Sequence, residues 1–339
     1  MQTSTRQFGE TDGEQVYLYT LSNDRGFEVS IMNYGGAVVS LKAPDRDGEF
    51  ADVVLGFDTL DEYVTNPRYF GGLIGRHANR IGWGKFSLNG TSFQLTQNDG
   101  VNHLHGGKRG FDKRVWRVLD DAAALRLEYF SRDGEEGYPG NLTAEVTYTL
   151  SADNELKTEY RATTDRETIV NLTNHSYFNL AGGGEILEHQ LTLHANAFTP
   201  VSKELIPTGE IAAVANTPMD FRQGKAIGKD LELAGGYDHN FVLSNYDGSS
   251  LKPAARLYDP ASGRVLEIVT TEPGIQFYSG NFLDGSFKGK SGAVYYKYTG
   301  LCLEPQHFPD APNHANFPST VLQPGEVYRH VSVYRFSCD

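Results

Sequence analysis

Residues 301–310 read LCLEPQHFPD and place a carboxylate directly after a short apolar run. The run 301–303 suits a buried strand, and Pro305 lacks the N–H that a sheet ladder uses, so the strand is predicted to end there. Glu304 would then lie at the edge of an apolar sheet, where burial shifts the pKa of a carboxyl group and can make it a base. Taken alone, the stretch fits a structural glutamate at a strand end better than a catalytic base. The choice between these two roles for Glu304 depends on the rest of the chain.

Short segments with alternating apolar residues recur along the whole chain. The clearest is the hairpin at 86–95, FSLNGTSFQL, where Asn89 and Gly90 favour a type I′ turn. One short helix is predicted at 60–64, after a capping box formed by Thr59 and Glu62. Further strands are predicted at 15–21, 27–32, 38–43, 115–119, 125–130, 142–150, 155–162, 168–172, 190–194, 211–214, 255–258, 264–271, 275–278, 293–298 and 327–336.

These segments predict an all-β fold with very little helix. A sustained 3.6-residue apolar periodicity is missing from the sequence, and the 37 glycines and 12% aromatic residues favour strands and tight turns. Many short strands separated by turn signals are typical of a β-sandwich or barrel. Because no linker or composition shift divides the chain, we expect one domain covering residues 1–339.

The charge balance narrows the class of partner. The 43 acidic residues outnumber the 30 lysines and arginines, for a net charge of −13. An acidic surface argues against nucleic acids and anionic membranes as partners and suits a small neutral ligand. The polar start of the chain and the absence of an apolar run of about 18 residues predict a cytoplasmic protein.

Polar residues that could carry chemistry concentrate in glycine-rich loops between the predicted strands. The segments 71–84 (GGLIGRHANRIGWG) and 102–112 (NHLHGGKRGFD) are the most prominent. A histidine or arginine in such a loop more often has a structural role than a catalytic one. The candidates are Arg76, His77, Asn79, Arg80, His103, His105, His175, Tyr177, Asp238, His239, Gln276, Asn281 and Glu304.

Several kinds of site fit poorly or only in part. His103-x-His105 resembles the start of a cupin metal motif, but Arg109 and Gly110 stand where that motif requires a glutamate. The chain contains neither a G-x-S-x-G nucleophile elbow nor a P-loop. A glycosidase with Asp238 and Glu304 as paired carboxylates is a serious alternative, and a sugar-binding module would use the same polar groups without catalysis.

Several polar motifs follow one another along the chain: GRHANRI at 75–81, NHLHGG at 102–107, GFDK at 110–113, TNHSYFNL at 173–180, TPMDFR at 217–222, YDHNF at 237–241, GIQFYSGN at 274–281 and LEPQHFPD at 303–310. Together these motifs give the chain a resemblance to the aldose 1-epimerase (galactose mutarotase) family over nearly its whole length. His77 is the one departure from the expected pattern, since it occupies a variable position of GRxANRI where tyrosine or valine is usual.

The resemblance implies a large antiparallel β-sandwich of the galactose mutarotase-like supersandwich type, with a sugar cleft across one face. It also implies interconversion of the α and β anomers of a free hexose without a cofactor or a metal. Glu304 would be the general base and His175 the general acid. The residues implied to surround the sugar are Asn79, Arg80, His105, Tyr177, Asp238 and Gln276.

General chemistry agrees with these roles, because opening a hemiacetal ring removes a proton from the anomeric hydroxyl while the ring oxygen gains one. A hexose-6-phosphate 1-epimerase is a closer alternative, with Lys108, Arg109, Lys113 and Arg114 as candidate phosphate ligands. The acidic chain favours a neutral sugar. The sequence leaves the preferred hexose open, and also whether the protein is a monomer or a homodimer.

Overall fold

The computed structural model describes residues 2–65 and 68–339, and it confirms the all-β class. Strands account for 45% of the chain and helices for 9%. The described residues include two short α-helices, at Leu60–Thr65 (α1) and Leu231–Ala234 (α2). The 3₁₀ turns lie at Gly82–Gly84, Phe111–Lys113, Glu135–Gly137, Ile227–Asp230, Lys290–Gly292 and Ala311–Asn313.

The strands are numbered in chain order. The first fourteen are β1 (Gln2–Thr11), β2 (Glu14–Ser22), β3 (Glu28–Met32), β4 (Val38–Pro44), β5 (Phe50–Asp52), β6 (Leu73–Ile74), β7 (Arg80–Ile81), β8 (Lys85–Leu88), β9 (Thr91–Gln94), β10 (His103–Leu104), β11 (Arg117–Asp120), β12 (Leu125–Ser131), β13 (Leu142–Leu150) and β14 (Glu155–Thr164). The others are β15 (Thr168–Ile169), β16 (Thr173–Asn174), β17 (Tyr177–Phe178), β18 (Gln190–Leu193), β19 (Ala195–Phe198), β20 (Ala212–Ala213), β21 (Lys225–Ala226), β22 (Asp238–Leu243), β23 (Lys252–Tyr258), β24 (Arg264–Thr270), β25 (Gly274–Tyr278), β26 (Leu301–Gln306), β27 (Val321–Leu322) and β28 (Tyr328–Cys338).

Three antiparallel sheets form the body of the fold. A nine-stranded sheet has the order β11-β12-β13-β14-β28-β24-β23-β18-β21, a six-stranded sheet has the order β17-β26-β25-β22-β19-β20, and β1 to β5 form a five-stranded meander. One apolar cluster takes side chains from all three, for example Val29, Val146 and Phe277. The sheets therefore pack face to face around a shared core, as in a β-sandwich. Neither described α-helix has the length and apolarity needed to cross a lipid bilayer.

Some strand predictions were wrong, and the reasons are physical. The segment 293–298 forms only an isolated bridge, from Val294 to Lys288, because Tyr295 packs into a core cluster and its hydroxyl donates to the Gly56 carbonyl. β1 was missed because its sequence is polar, and it is held by its backbone pairing with β2. The predicted strand 168–172 is shorter than expected and ends at Ile169.

β26 continues past Pro305, against the prediction. Pro305 pairs with Ile275 of β25, and its carbonyl accepts a hydrogen bond from Thr173 Oγ1 at 2.7 Å. The nitrogen and carbonyl of one strand residue face the same side, so the missing N–H of Pro305 faces Thr173 rather than β25. The ladder between β25 and β26 therefore loses no hydrogen bond.

His77 has an unusual environment. Its side chain is fully buried, and neither ring nitrogen has a hydrogen-bond partner among the residues that the structure describes. Burial lowers the pKa of His77 to about 3. The folded protein thus holds a neutral imidazole that takes up a proton on unfolding in mildly acidic solution.

We expect His77→Leu to stabilise the protein at pH 5 relative to pH 8. A histidine whose folded pKa lies below its unfolded value costs stability that grows as the pH falls below about 6.5, and the difference reaches about 2 kcal/mol at pH 5. Urea unfolding of both proteins at the two pH values measures it. His194→Leu, at an exposed position, is the matched control. An equal change in free energy of unfolding at both pH values would contradict the prediction.

Candidate active site

The register of three neighbouring strands brings the polar residues of the candidate site together. In β22, β25 and β26, Asn240 pairs with Gln276, and Gln276 pairs with Glu304. Two residues before Asn240 on β22, Asp238 pairs with Tyr278 of β25. Because paired residues point to the same face and faces alternate along a strand, these side chains share one face of the sheet. All of them lie on strands, as predicted for Gln276 and, at a strand end, for Glu304, whereas Asp238 was predicted to lie in a loop.

The opposite face of these strands is apolar. Phe241, Ile275, Phe277 and Leu303 belong to the main core cluster and are at most 1% exposed. The three strands β22, β25 and β26 therefore have a core face and a polar face, and their polar side chains point away from the core.

His175 lies over this polar face, between β16 and β17. Its N–H donates to the Gly72 carbonyl, and its own carbonyl accepts from the Gly71 N–H. Gly71 has a φ of +68°, and a Cβ there would lie 2.1 Å from the Val38 carbonyl oxygen. Only glycine fits that close approach, so the backbone that holds His175 depends on it.

Glu304 and His175 form the centre of the site. Glu304 Oε1 lies 3.9 Å from His175 Nε2, and the two residues are 2% and 5% exposed. Glu304 Oε2 is buried without a hydrogen-bond partner in the described part of the chain. Burial and the nearby charge of Asp238 raise the pKa of Glu304 well above its usual value, whereas burial lowers the pKa of His175 to about 4.

These opposite shifts favour the uncharged form of both groups, a carboxylic acid at Glu304 and a neutral imidazole at His175. A hydroxyl donor on the unpartnered Oε2 would favour the carboxylate instead. A buried acceptor without a hydrogen bond costs about 1–3 kcal/mol of stability. Glu304 Oε2 is such an atom, so a ligand that donates a hydrogen bond to it would be favoured.

The loop 75–81 supplies a second wall through β7, which pairs with β10. The backbone N–H of Asn79 donates to the ring nitrogen Nδ1 of His105 at 3.2 Å, and the backbone N–H of His105 donates to the Asn79 carbonyl. Nδ1 of His105 is thus an acceptor, which leaves the proton of the neutral ring on Nε2. Burial, with the nearby His175 next in importance, lowers the pKa of His105 well below its usual value.

Arg80 is held between two carboxylates. Its Nε donates to Asp99 Oδ2 at 2.7 Å, and its Nη1 lies 3.8 Å from Asp238 Oδ2. Asp238 also accepts a 2.7 Å hydrogen bond from Gln276 Nε2. Arg80, Asp238 and Gln276 form one network, which leaves Glu304 without a direct cationic partner among the described residues.

The polar face opens into a cleft of about 700 Å³, a size typical of ligand sites. Seven of the eight site residues predicted from the sequence line it: Asn79, Arg80, His105, His175, Tyr177, Asp238 and Glu304. The eighth, Gln276, lies behind Asp238. Tyr177 directs its hydroxyl to the Arg68 carbonyl at 3.1 Å, so it presents mainly its ring.

Sequence reasoning missed several residues of the cleft. Asp99, which binds Arg80, lies in an Asn-Asp-Gly turn that could have signalled a loop but not its partner. Tyr69 packs its ring against His105 and His175, and its φ of +61° is unusual for a tyrosine. Residues 203–205 reach the cleft from far along the chain, and nothing local in the sequence signals it.

Other candidates from the sequence have structural roles. Arg76 is buried and donates to the carbonyls of Pro139 and Gly140, and His103 contacts Tyr138 Oη at 2.6 Å. Among the candidate phosphate ligands, Lys108 and Lys113 line the cleft. Arg109 instead pairs with Asp12, and Arg114 pairs with Glu135.

Within the described part of the chain, two clusters bring possible metal-ligand atoms within 4.8 Å of one another. The first is His175, Cys302 and Glu304, and the second is Glu272, His307 and His330. In the second, Glu272 already contacts both imidazoles, at 2.7 Å and 3.3 Å. This carboxylate is therefore satisfied by neighbouring side chains. Catalysis without a metal stays a prediction.

Comparison with known proteins identifies the family of this chain. A family model described as aldose 1-epimerase matches residues 17–335. The chain is 49% identical to a galactose mutarotase from Bos taurus, over 95% of this chain and 94% of the relative. It is 38% identical to an aldose 1-epimerase from Escherichia coli, over 96% of each chain.

Solved structures of related proteins have the same fold. An aldose epimerase homologue from C. elegans superposes with a TM-score of 0.90 at 35% identity, covering 95% of this chain and 98% of the other. A galactose 1-epimerase from Lactobacillus acidophilus gives a TM-score of 0.86 at 30% identity, covering 99% of both chains. The supersandwich fold predicted from the sequence is thereby confirmed.

Proposed function

The chain belongs to the aldose 1-epimerase family, and we infer that it is a mutarotase, an isomerase that interconverts the α and β anomers of free hexoses such as galactose and glucose. The observation that carries this function is the buried Glu304, whose Oε2 lacks a partner within the described residues and whose Oε1 faces His175 Nε2. A sugar hydroxyl would supply the missing donor.

We propose that Glu304 is the general base and His175 the general acid. Glu304 takes the proton of the anomeric hydroxyl while His175 Nε2 gives a proton to the ring oxygen, and the bond from C1 to the ring oxygen breaks. Rotation about C1–C2 turns the aldehyde over. The same transfers in reverse close the ring on the other face.

This scheme needs one proton on the pair. With a cyclic sugar bound, the working form is a carboxylate with an imidazolium. Ring opening leaves the carboxyl group protonated and the imidazole uncharged, which is the form that the pKa shifts of the two residues favour. Hydrogen bonds from the sugar to Glu304 Oε2 favour the first form, and both forms are visited in each turnover.

The surrounding polar groups would fix the sugar in place. Asp238 and Arg80 offer an acceptor and donors on one wall, while Asn79 and His105 lie on another. Gln276 would act through Asp238, which it holds with a 2.7 Å hydrogen bond. A charged hydrogen bond of this kind contributes roughly 1.5–3 kcal/mol.

A hexose phosphate is the second candidate substrate, because Arg68, Lys108, Lys113 and Lys203 all line the cleft. Comparing initial rates on glucose and on glucose 6-phosphate separates the two, and we expect the neutral sugar to be preferred. The cytoplasmic location stays a prediction, and the choice between monomer and homodimer stays open.

We expect Glu304→Gln to lower kcat by at least 10²-fold, because an amide of the same shape does not accept the proton of the anomeric hydroxyl. Polarimetry on freshly dissolved α-D-galactose in dilute buffer measures the rate. Glu204→Gln, at another carboxylate that lines the cleft, is the control and should retain activity. A near-wild-type rate for the first variant, with unchanged circular dichroism, would rule out Glu304 as the base.

His175→Asn should also lower kcat by at least 10²-fold, because the ring oxygen then lacks its proton donor. His194→Asn, at an exposed position, is the matched control. If only the KM of the first variant changes while kcat is retained, His175 binds the sugar and is not the acid.

The pH dependence of kcat/KM tests the one-proton pair. We expect activity to fall on the acid side with a midpoint near pH 4, where His175 takes up a proton while Glu304 is still protonated. On the alkaline side it falls as the carboxyl group loses its raised-pKa proton. Tryptophan fluorescence at each pH separates this effect from unfolding. An acid midpoint near pH 6.5, with the fold intact, would contradict the shared proton.

A further inference from the structure

Cys302 makes an uncommon contact with the proposed acid. Its Sγ lies 3.4 Å from His175 Nδ1, and the cysteine is fully buried. Within residues 2–65 and 68–339, this thiol is the side-chain hydrogen-bond partner of the His175 ring, and a backbone hydrogen bond of His175 itself also acts on the ring and, against the larger effect of burial, raises its pKa. The two nitrogens thus face different neighbours, Nδ1 a thiol and Nε2 the carboxyl group of Glu304.

The register of β26 produces this arrangement. Cys302 and Glu304 are two residues apart on one strand, so both point to the polar face. Cys302 pairs with Tyr177 on one side and Tyr278 on the other, and this fixes the height of the thiol beneath the imidazole. The backbone of His175 is held independently by the hydrogen bonds to Gly71 and Gly72.

We propose that Cys302 is a positioning residue whose sulfur accepts a hydrogen bond from His175 Nδ1–H, which keeps the lone pair of the neutral ring on Nε2. The inference rests on the proposed roles of His175 and Glu304. It adds that only Nε2 exchanges a proton with Glu304 and the sugar.

The proton balance of the reaction supports this tautomer. After the imidazolium gives its Nε2 proton to the ring oxygen, the remaining proton is on Nδ1, and the Nε2 lone pair must take a proton back when the ring closes. In the opposite tautomer the lone pair would be on Nδ1 and face the sulfur. Nε2 would already carry the proton and would have no lone pair with which to accept another. A partner that keeps Nδ1 protonated therefore preserves the working form through both half-reactions.

A neutral thiol suits this task better than a carboxylate. Burial and the nearby Glu304 raise the pKa of Cys302 well above its usual value, so the sulfur stays uncharged. A carboxylate on Nδ1 would favour the imidazolium and raise the pKa of His175, as charge partners do. The weak acceptor fixes the tautomer and leaves the pKa of His175 low, at about 4.

The direct test is the ¹⁵N NMR spectrum of protein labelled in its histidines, with the His175 signals identified by their loss in His175→Asn. At neutral pH we expect wild-type His175 to be protonated on Nδ1, and Cys302→Ala to shift the ring towards protonation on Nε2. Protonation of Nε2 in the wild type, or an unchanged tautomer in Cys302→Ala, would overturn the proposal.

Kinetics give a second readout. Cys302→Ala should lower kcat about 10- to 100-fold, by analogy with the loss of a group that orients a metal-bound histidine, with KM changed less than about twofold. Cys302→Ser, which keeps an acceptor, should restore part of kcat and the Nδ1–H tautomer. Equal losses in the two variants, with the Nδ1–H tautomer kept in both, would show that the cysteine matters only for packing.

The other cysteine supplies the control. Cys338 is exposed and donates to the Pro44 carbonyl, so Cys338→Ala should change neither the tautomer nor kcat. The NMR result does not depend on turnover. If the wild type fails to accelerate anomer exchange, the proposed function fails, while the tautomer still decides this inference. If Cys302→Ala does not fold, the wild-type and Cys302→Ser spectra decide it.

Discussion

The antiparallel register of β22, β25 and β26 is the constraint on which the candidate site depends. A shift of one residue in any of these strands would exchange its two faces. In β26 it would bring Leu303 into the cleft and place Glu304 in the apolar core, where an unpaired carboxyl group is costly. Core packing on one face and polar chemistry on the other thus specify the same pairing, and the thiol of Cys302 is fixed by it too.

Two glutamates of similar burial show how strongly local partners decide the chemistry. Glu272 contacts His307 and His330, and these partners outweigh burial and lower its pKa. Glu304 has a more distant imidazole, that of His175 at 3.9 Å, and Arg80 is engaged by Asp99 and Asp238, so burial dominates and the pKa of Glu304 rises. The first arrangement is a satisfied structural cluster, and the second leaves an acceptor for a ligand.

Local pattern was enough to predict elements whose alternation reflects one buried face. β13 was predicted with both ends correct, and the hairpin of β8 and β9 followed from its Asn-Gly turn. The alternating pattern gave a wrong prediction at 293–298. There, the packing of Tyr295 into a core cluster determines the backbone conformation, and no strand pairing forms beyond an isolated bridge. Apart from Gln276, the site residues that the family resemblance implies line one cleft, whereas residues 203–205 approach it only through the tertiary fold, which no local signal records.

The position of β28 has a consequence for how this protein folds. β28 pairs with β14 on one side and β24 on the other, so it joins two groups of strands in the nine-stranded sheet. Until residues 328–338 are in place, the facing edges of β14 and β24 have no partner, and open edges invite pairing with other chains. Insertion of this one strand closes both edges at once, so a chain in which β28 is displaced exposes two sheet edges rather than one.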